Sequence, residues 1–311
     1  EFVAVYEALR ADRPSTLPPL RVQYPDYAVW HARMLDATRA QDAAFWQRYL
    51  DNAPKGSRLP VDTPLPGVAG HAGDSLRVPV EGALVEALAP LARANKTSRF
   101  TVMLAAFLAL VHREAGTDDI VVGTDVAGRD HPELEKLMGF FVNVVPLRSR
   151  RDEAARFTDW LAAVHAGTQS ALAHGGVPLD RILDLAGIGR AQGTPVRMLF
   201  VMQNTPTGHF EIPGLRIDVV PQRVRHSKFD IAVFIHEGPR EWTAEWVYDT
   251  GLYRSESIRR WAADWCALLR QLVISPEARV EQLFSTPVRK ESPMNPMPSP
   301  QLGKLDKLKK F

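Results

Sequence analysis

Gly139–Arg148 reads GFFVNVVPLR, an apolar run with one amide, Asn143, and one guanidinium, Arg148. A run this short and rich in Val and Phe reads as a buried strand. Two further runs read the same way, Asp119–Val126 (DIVVGTDV) and Pro195–Asn204 (PVRMLFVMQN), the second ending in the amides Gln203 and Asn204. A buried amide without partners costs roughly 1–3 kcal/mol. Asn143, read as mid-strand among apolar neighbours, therefore needs a partner from the backbone or from a ligand. The amides either hold strands and loops together or, taken jointly, line a polar channel through an apolar body.

Helical patterns alternate with these strands. Phe2, Val5, Tyr6 and Leu9 share one helical face, and a second helix is expected over Tyr24–Leu50. Leu84, Leu88 and Leu91 mark an amphipathic helix. Thr97 or Ser98 caps a helix apolar almost all round, FTVMLAAFLALV, which Gly116 ends. HPELEKL is expected to be a short helix with Pro132 in its first turn, and Phe157–Leu172 a long one closed by Gly175. Ser75–Val80 and LRIDVV read as strands. KFDIAVFIHEGPREWTAEWVYD reads as a hairpin turning at Gly238–Pro239, and Trp261–Leu272 as the last helix. Apolar strands interleaved with helices predict an α/β fold whose sheet, made mixed by the hairpin, is covered by helices.

The bulk composition narrows the function classes. The 311 residues are 45% hydrophobic and 24% charged, with a net charge of +2 and one basic cluster, Lys304–Lys310. This balance makes no electrostatic case for nucleic acid or membrane as a partner. No apolar run approaches the ~20 residues of a membrane span. A single cysteine, Cys266, allows no internal disulfide and fits a reducing cytoplasm. The first ten residues lack the basic segment of a secretory leader. They also begin inside a helical pattern without Met, so a preceding segment is expected.

Familiar chemistries fit poorly. The nine histidines are scattered, and His236-Glu237 runs into Gly238-Pro239 rather than into a helical H-E-x-x-H, so no metal site is expected. GIGRAQG (187–193) misses the dinucleotide fingerprint and reads as a loop. There is no P-loop and no G-x-S-x-G elbow. Cys266 lies in WAADWCALL and reads as a buried structural thiol.

Three stretches carry a resemblance. Tyr24–Trp30 (YPDYAVW) resembles the Y-x-D-Y-A-x-W motif of nonribosomal peptide synthetase condensation domains. Met138–Arg148 (MGFFVNVVPLR) resembles their G-x-F-V-N-T-x-x-x-R motif, with Val144 in place of the usual Thr. Arg190–Asn204 (RAQGTPVRMLFVMQN) is similar to their R-x-x-x-x-P-x-F-x-x-x-x-x-Q-N motif. LPVDTPLP, GTDVAGRD and SKFD match stretches between these, and the resemblance spans roughly residues 1–284. His174–Asp180 (HGGVPLD) departs from the usual H-Q-D-x-P-F-E by two glycines. The active-site motif H-H-x-x-x-D-G is absent; the family carries it shortly before Y-x-D-Y, so it is expected upstream of Glu1.

The resemblance implies a chloramphenicol-acetyltransferase-like, two-lobed α/β architecture, mostly its C-terminal lobe. Residues 1–56 would be a remnant of the N-lobe, 57–75 a crossover, 76–285 the C-lobe and 286–311 a linker or disordered tail. It implies amide formation between a carrier-bound acyl or peptidyl thioester and a carrier-bound aminoacyl amine, with this chain alone inactive. Phosphopantetheine would arrive on partner carrier proteins at the donor and acceptor ends, with no cofactor bound directly. Further synthetase domains would follow the linker.

Asn143, Gln203 and Asn204 are the implied substrate-tunnel residues, Asn143 bonding substrate, the pantetheine amide or a backbone group. Arg129, Arg148, Tyr24, Asp26, Tyr27 and Trp30 are implied structural supports. Arg129 would be left unpaired or solvated, because its partner aspartate belongs to the absent motif. Two alternatives stand beside this reading: a non-catalytic module docking carrier or tailoring proteins, and a stand-alone acyltransferase of the same superfold.

Overall fold

The computed structural model describes residues 1–63, 71–151, 155–188, 194–203, 211–212, 215–216, 224–238 and 241–285. Eight strands are found among them: β1 (Gly73–Glu81), β2 (Asp119–Val126), β3 (Asn143–Arg150), β4 (Met198–Gln203), β5 (Glu211–Ile212), β6 (Leu215–Arg216), β7 (Ile231–His236) and β8 (Glu241–Asp249). Six form one mixed sheet in the order β1-β8-β7-β4-β2-β3, and β5 pairs with β6 apart from it. The inner pairs β7/β4 and β4/β2 are parallel; the outer three are antiparallel. The expected mixed sheet is therefore present, its hairpin formed by β7 and β8.

The period-2 alternation of each strand sorts the sheet into two unlike faces. One face presents Ile120, Val122, Val145, Leu147, Met198, Phe200, Val233, Ile235 and Trp246 to the main core. Helices α3 (Gly82–Ala94), α4 (Arg99–Ala115), α5 (Phe157–Ala173) and α7 (Ser255–Ile274) pack there. Helix α4 is buried continuously from Thr101 to His112, as its all-round apolar sequence requires. Ser98 Oγ accepts the Thr101 N–H at 3.2 Å, and Gly116, at φ +62°, closes the helix in the left-handed region.

The other face holds a smaller cluster, Val121, Val196, Leu199, Val201 and Ala232, flanked by Ala53, Val144, Leu179, Phe229, Phe234 and Val247. Gly123 lies in it because a Cβ there would come within 2.6 Å of both Leu199 and Val196.

Helix α1 spans Phe2–Arg10 and α2 Tyr24–Tyr49; α2 packs on α6 (Leu179–Leu185) and meets the β3 edge through Tyr49, whose Oη accepts the Arg148 N–H at 2.9 Å. A short α8 covers Val280–Ser285. Two expectations change. The segment HPELEKL forms only a single 3-10 turn, Pro132–Leu134, because the Leu134 and Leu137 carbonyls accept from the Arg129 guanidinium. Asn143 opens β3 rather than lying inside it, and β3 is an edge strand of the sheet. No helix among the described residues is long and apolar enough to cross a membrane.

Candidate functional site

The carboxyl ends of β2, β4 and β7 share one end of the sheet, where Asn143 also begins β3 opposite Val126. In open α/β sheets ligands bind outside such ends. Phe141, 5% exposed, points inward beside them, while its neighbours Phe140 (80%) and Met138 (87%) point out.

Phe141 joins two of the sequence motifs. Its ring meets Tyr24 edge-on at 5.2 Å and Tyr27 at 4.6 Å. The Tyr24 hydroxyl donates to the Phe140 carbonyl at 2.9 Å. A Cβ on Gly139 would fall inside the Tyr24 ring, so glycine is what lets that ring lie on the backbone. Asp26 accepts the Gln23 N–H at 2.8 Å and so caps α2. Trp30 is half-exposed and touches Tyr27 and, edge-on, His131. Arg129 is not unpaired. Its guanidinium lies 4.2 Å over the Phe141 ring and donates to the Leu134 and Leu137 carbonyls, so the local chain supplies its partners.

Arg148 is 6% exposed in its side chain and makes a fork on Asp119, Nε to Oδ1 at 2.9 Å and Nη2 to Oδ2 at 2.5 Å. Its Nη1 donates to the Tyr49 and Asp51 carbonyls at the C-terminal end of α2, where a cation suits the helix dipole. Burial alone would raise the Asp119 carboxyl, but the hydrogen bonds and charge of Arg148, with Arg150, hold it below the usual range.

Asn143 is satisfied by one loop. Its Nδ2 donates to the Gly175 and Val177 carbonyls at 2.8 and 2.6 Å, and its Oδ1 accepts the Leu179 N–H at 3.2 Å. From the opposite side α2 grips the same loop. His31 Nε2 donates to the Gly176 carbonyl at 2.9 Å, and His174 Nδ1 donates to Asp42 at 2.7 Å while stacking on Phe45 at 4.0 Å. The first of the two glycines that break the family pattern fits here: a Cβ on Gly175 would press on Val145 at 3.1 Å and on the Leu172 carbonyl at 3.0 Å. Of the three partners implied for Asn143, the backbone is the one present.

Gln203 ends β4 beside His236, half-buried. It lies with Val201 on the face away from the helices, whereas Asn143 lies with Val126 and Val122 on the helix-covered face. The two amides thus share an end of the sheet but not a face, and Asn143 is on an edge strand. This corrects the expectation that Asn143 lies within a central strand. Asn204, most of GIGRAQG and residues 286–311 lie outside the described residues.

Sequence reasoning passed over the polar side chains on Gln203's face. Glu245 accepts from Arg77 Nε at 3.1 Å and from His236 Nε2 at 3.1 Å. Asp125, one strand beyond Gln203, is half-buried. The alternating polar positions of DIVVGTDV and EWTAEWVYD carried that signal. Cys266 is buried on α7, and burial raises its thiol to about 11, which makes it a poor nucleophile. No group of three or more His, Cys, Asp or Glu side chains among the described residues is placed to hold a metal ion.

A mixed sheet layered with helices on one face, its strand ends meeting a docked helix, is the chloramphenicol-acetyltransferase-like class of fold. A family profile described as "Condensation domain" matches residues 1–294, and the chain belongs to that family. It is 32% identical over 292 residues to malpibaldin synthetase of Mortierella alpina, covering 92% of this chain and 5% of that protein. It is 32% identical over 285 residues to phosphinothricin tripeptide synthetase PhsC of Streptomyces viridochromogenes, covering 89% of this chain and 26% of that one. Among solved structures, the X-domain from teicoplanin biosynthesis superposes with a TM-score of 0.81 at 23% identity, over 89% of this chain and 65% of that one. The chain thus spans a small part of the curated relatives it matches.

Proposed function

We propose that this chain is the larger part of a nonribosomal peptide synthetase condensation domain. In that reading residues 76–285 are its C-lobe, 1–56 a remnant of its N-lobe, 57–75 the crossover and 286–311 a linker. The complete domain joins a carrier-bound acyl or peptidyl thioester to a carrier-bound aminoacyl amine. The amine nitrogen attacks the thioester carbonyl, the C–N bond forms, the C–S bond breaks, and the amine proton ends on the departing thiol. The phosphopantetheine arms come on the carrier proteins and supply the thioesters. Holding both ends in near-attack geometry is worth several kcal/mol in such a step. The setting is cytoplasmic, and the partners are the donor and acceptor carrier proteins with the adjoining synthetase domains.

The observation that carries this reading is the convergence of the motifs. YPDYAVW sits on GFFVNVVPLR through Tyr24, Tyr27 and Phe141, and Asn143 holds the 174–179 loop at the same end of the sheet. In this arrangement Gln203 lines the acyl-transfer channel, with Asn204 following it. Asn143, Arg129 and Arg148 support the walls from behind. The test is single-turnover peptide formation from two loaded carrier proteins. The native synthetase polypeptide carrying this chain is expected to form the amide, and the 311-residue chain alone, which lacks H-H-x-x-x-D-G, to stay at background. No product from the native polypeptide would refute the reading.

A docking module is the second reading. One solved neighbour, of TM-score 0.79 and 24% identity, is a complex of the teicoplanin X-domain with OxyB. A native polypeptide without the histidine motif, retaining carrier or tailoring-protein binding, would favour it.

A further inference from the structure

Helices α2 and α6 pack on each other and leave between them a cavity of about 160 Å³. The buried Leu35 and Val177 and the half-buried Leu185 give it an apolar floor. Four charged side chains complete its lining, Arg39 and Asp42 from α2 and Arg181 and Asp184 from α6. An apolar cavity of roughly 150 Å³ holds a ring of six carbons. This one therefore suits a molecule of that order, well below the ~300 Å³ at which drug-sized sites begin.

The charges are paired in sequence but not in space. On each helix a base and an acid stand three residues apart, Arg39 with Asp42 and Arg181 with Asp184. That spacing puts them on one helix face with Cβ atoms about 5–6 Å apart. Yet Arg39, Arg181 and Asp184, all exposed, have no hydrogen-bond or ion-pair partner among the described residues. Asp42 differs. Its side chain is only 10% exposed, and His174 Nδ1 engages Oδ1 alone, at 2.7 Å. An ionised carboxylate offers about four acceptor sites, and burying one that is poorly hydrogen-bonded is costly. Oδ2 of Asp42 is thus an open acceptor on a residue of the cavity wall. The two arginines and two aspartates cancel. A ligand of one sign meets as many like charges as opposite ones, whereas a ligand carrying both signs on neighbouring atoms can pair with each.

We propose that this cavity binds a small zwitterion of the α-amino-acid type. Its ammonium is taken by Asp42 and Asp184, its carboxylate by Arg39 and Arg181, and a short apolar side chain lies on the floor. Guanidinium groups match carboxylate oxygens, and the aspartates accept from the ammonium N–H groups. The ligand joins α2 to α6 beside the loop that Asn143 holds through the Gly175 and Val177 carbonyls. Binding therefore stabilises the docking of α2 by mass action. The site does not depend on the amide-forming reading.

The test is calorimetric titration of L-valine, valinamide and N-acetylvaline into the 311-residue chain. Valinamide lacks the carboxylate and N-acetylvaline the ammonium. Valine is expected to bind at least about 10-fold more tightly than either. It should also slow amide hydrogen exchange in residues 35–42 and 177–185, the segments that line the cavity. Arg181→Gln removes the preference over valinamide, and Asp184→Asn the preference over N-acetylvaline. Both side chains are exposed and unpartnered, so each variant keeps the melting temperature of the parent. No binding of valine at millimolar concentration, equal affinities for the three probes, or a preference that survives in both variants would overturn the site. So would exchange protection that falls only elsewhere in the chain.

Discussion

Asn143 opens β3 at an edge of the sheet, and its side chain turns to the chain between α5 and α6. Its apolar neighbours predicted a buried amide in need of partners, and it has three, all backbone groups of one loop. What the sequence could not show was that β3 is an edge strand, because strand order is set by long-range pairing. The exposed Phe140 and buried Phe141 are likewise adjacent and chemically equal; only the position of Tyr24 distinguishes them. Asn143→Ala would leave the Gly175 and Val177 carbonyls without those donors, at a cost of roughly 2–3 kcal/mol. Urea denaturation of the chain should show that loss. Asn143→Asp should lose more at neutral pH, because a carboxylate would face two carbonyl oxygens. Equal stability of all three proteins would remove the loop-holding role.

At the scale of the element, α4 was legible because its sequence is apolar all round and ends in glycine, and the helix follows that reading from its Ser98 cap to Gly116. Its one buried polar side chain near the C-terminal end, His112, was not singled out. His112 Nδ1 donates to the Thr117 carbonyl at 2.7 Å and Nε2 accepts from Ser149 Oγ at 3.0 Å, tying α4 to the start of β2 and to β3. Burial lowers this histidine from 6.5 to about 4. Its neutral form is the one the fold holds, so the unfolded chain binds more protons between those values. The stability it contributes is complete above pH 6.5 and is lost as pH falls toward 4, about 3 kcal/mol in all. Carboxylates titrate in the same range, so the comparison is with His112→Gln. The difference in unfolding free energy between the two proteins should shrink from pH 7 to pH 4. A difference that stays constant across that range would show that His112 is not the titrating group.

For the whole molecule, the sequence motifs foretold a fold class but not how the chain would present its surface. One sheet face is sealed by four helices, and at the strand ends large apolar side chains stay exposed: Met138, Phe140 and Val142, with Val29 and Trp30 on α2. Isolated exposed apolar residues are ordinary, but several near one end of a sheet form the kind of surface that partners cover. The apolar face of α1, where Phe2 and Leu9 are exposed, adds to it. If residues 1–56 are a remnant of a larger lobe, this surface belongs inside the complete domain. The 311-residue chain on its own should then self-associate at micromolar concentration and bind a hydrophobic dye. Met138→Glu together with Phe140→Ser should reduce both, measured by sedimentation velocity and dye fluorescence. The melting temperature should stay within a degree or two, since neither side chain contributes to the core. A wild-type chain that sediments as a monomer and leaves the dye dark would show that this surface needs no cover. The lobe assignment would then lose the support it takes from exposure and stand on the sequence motifs alone.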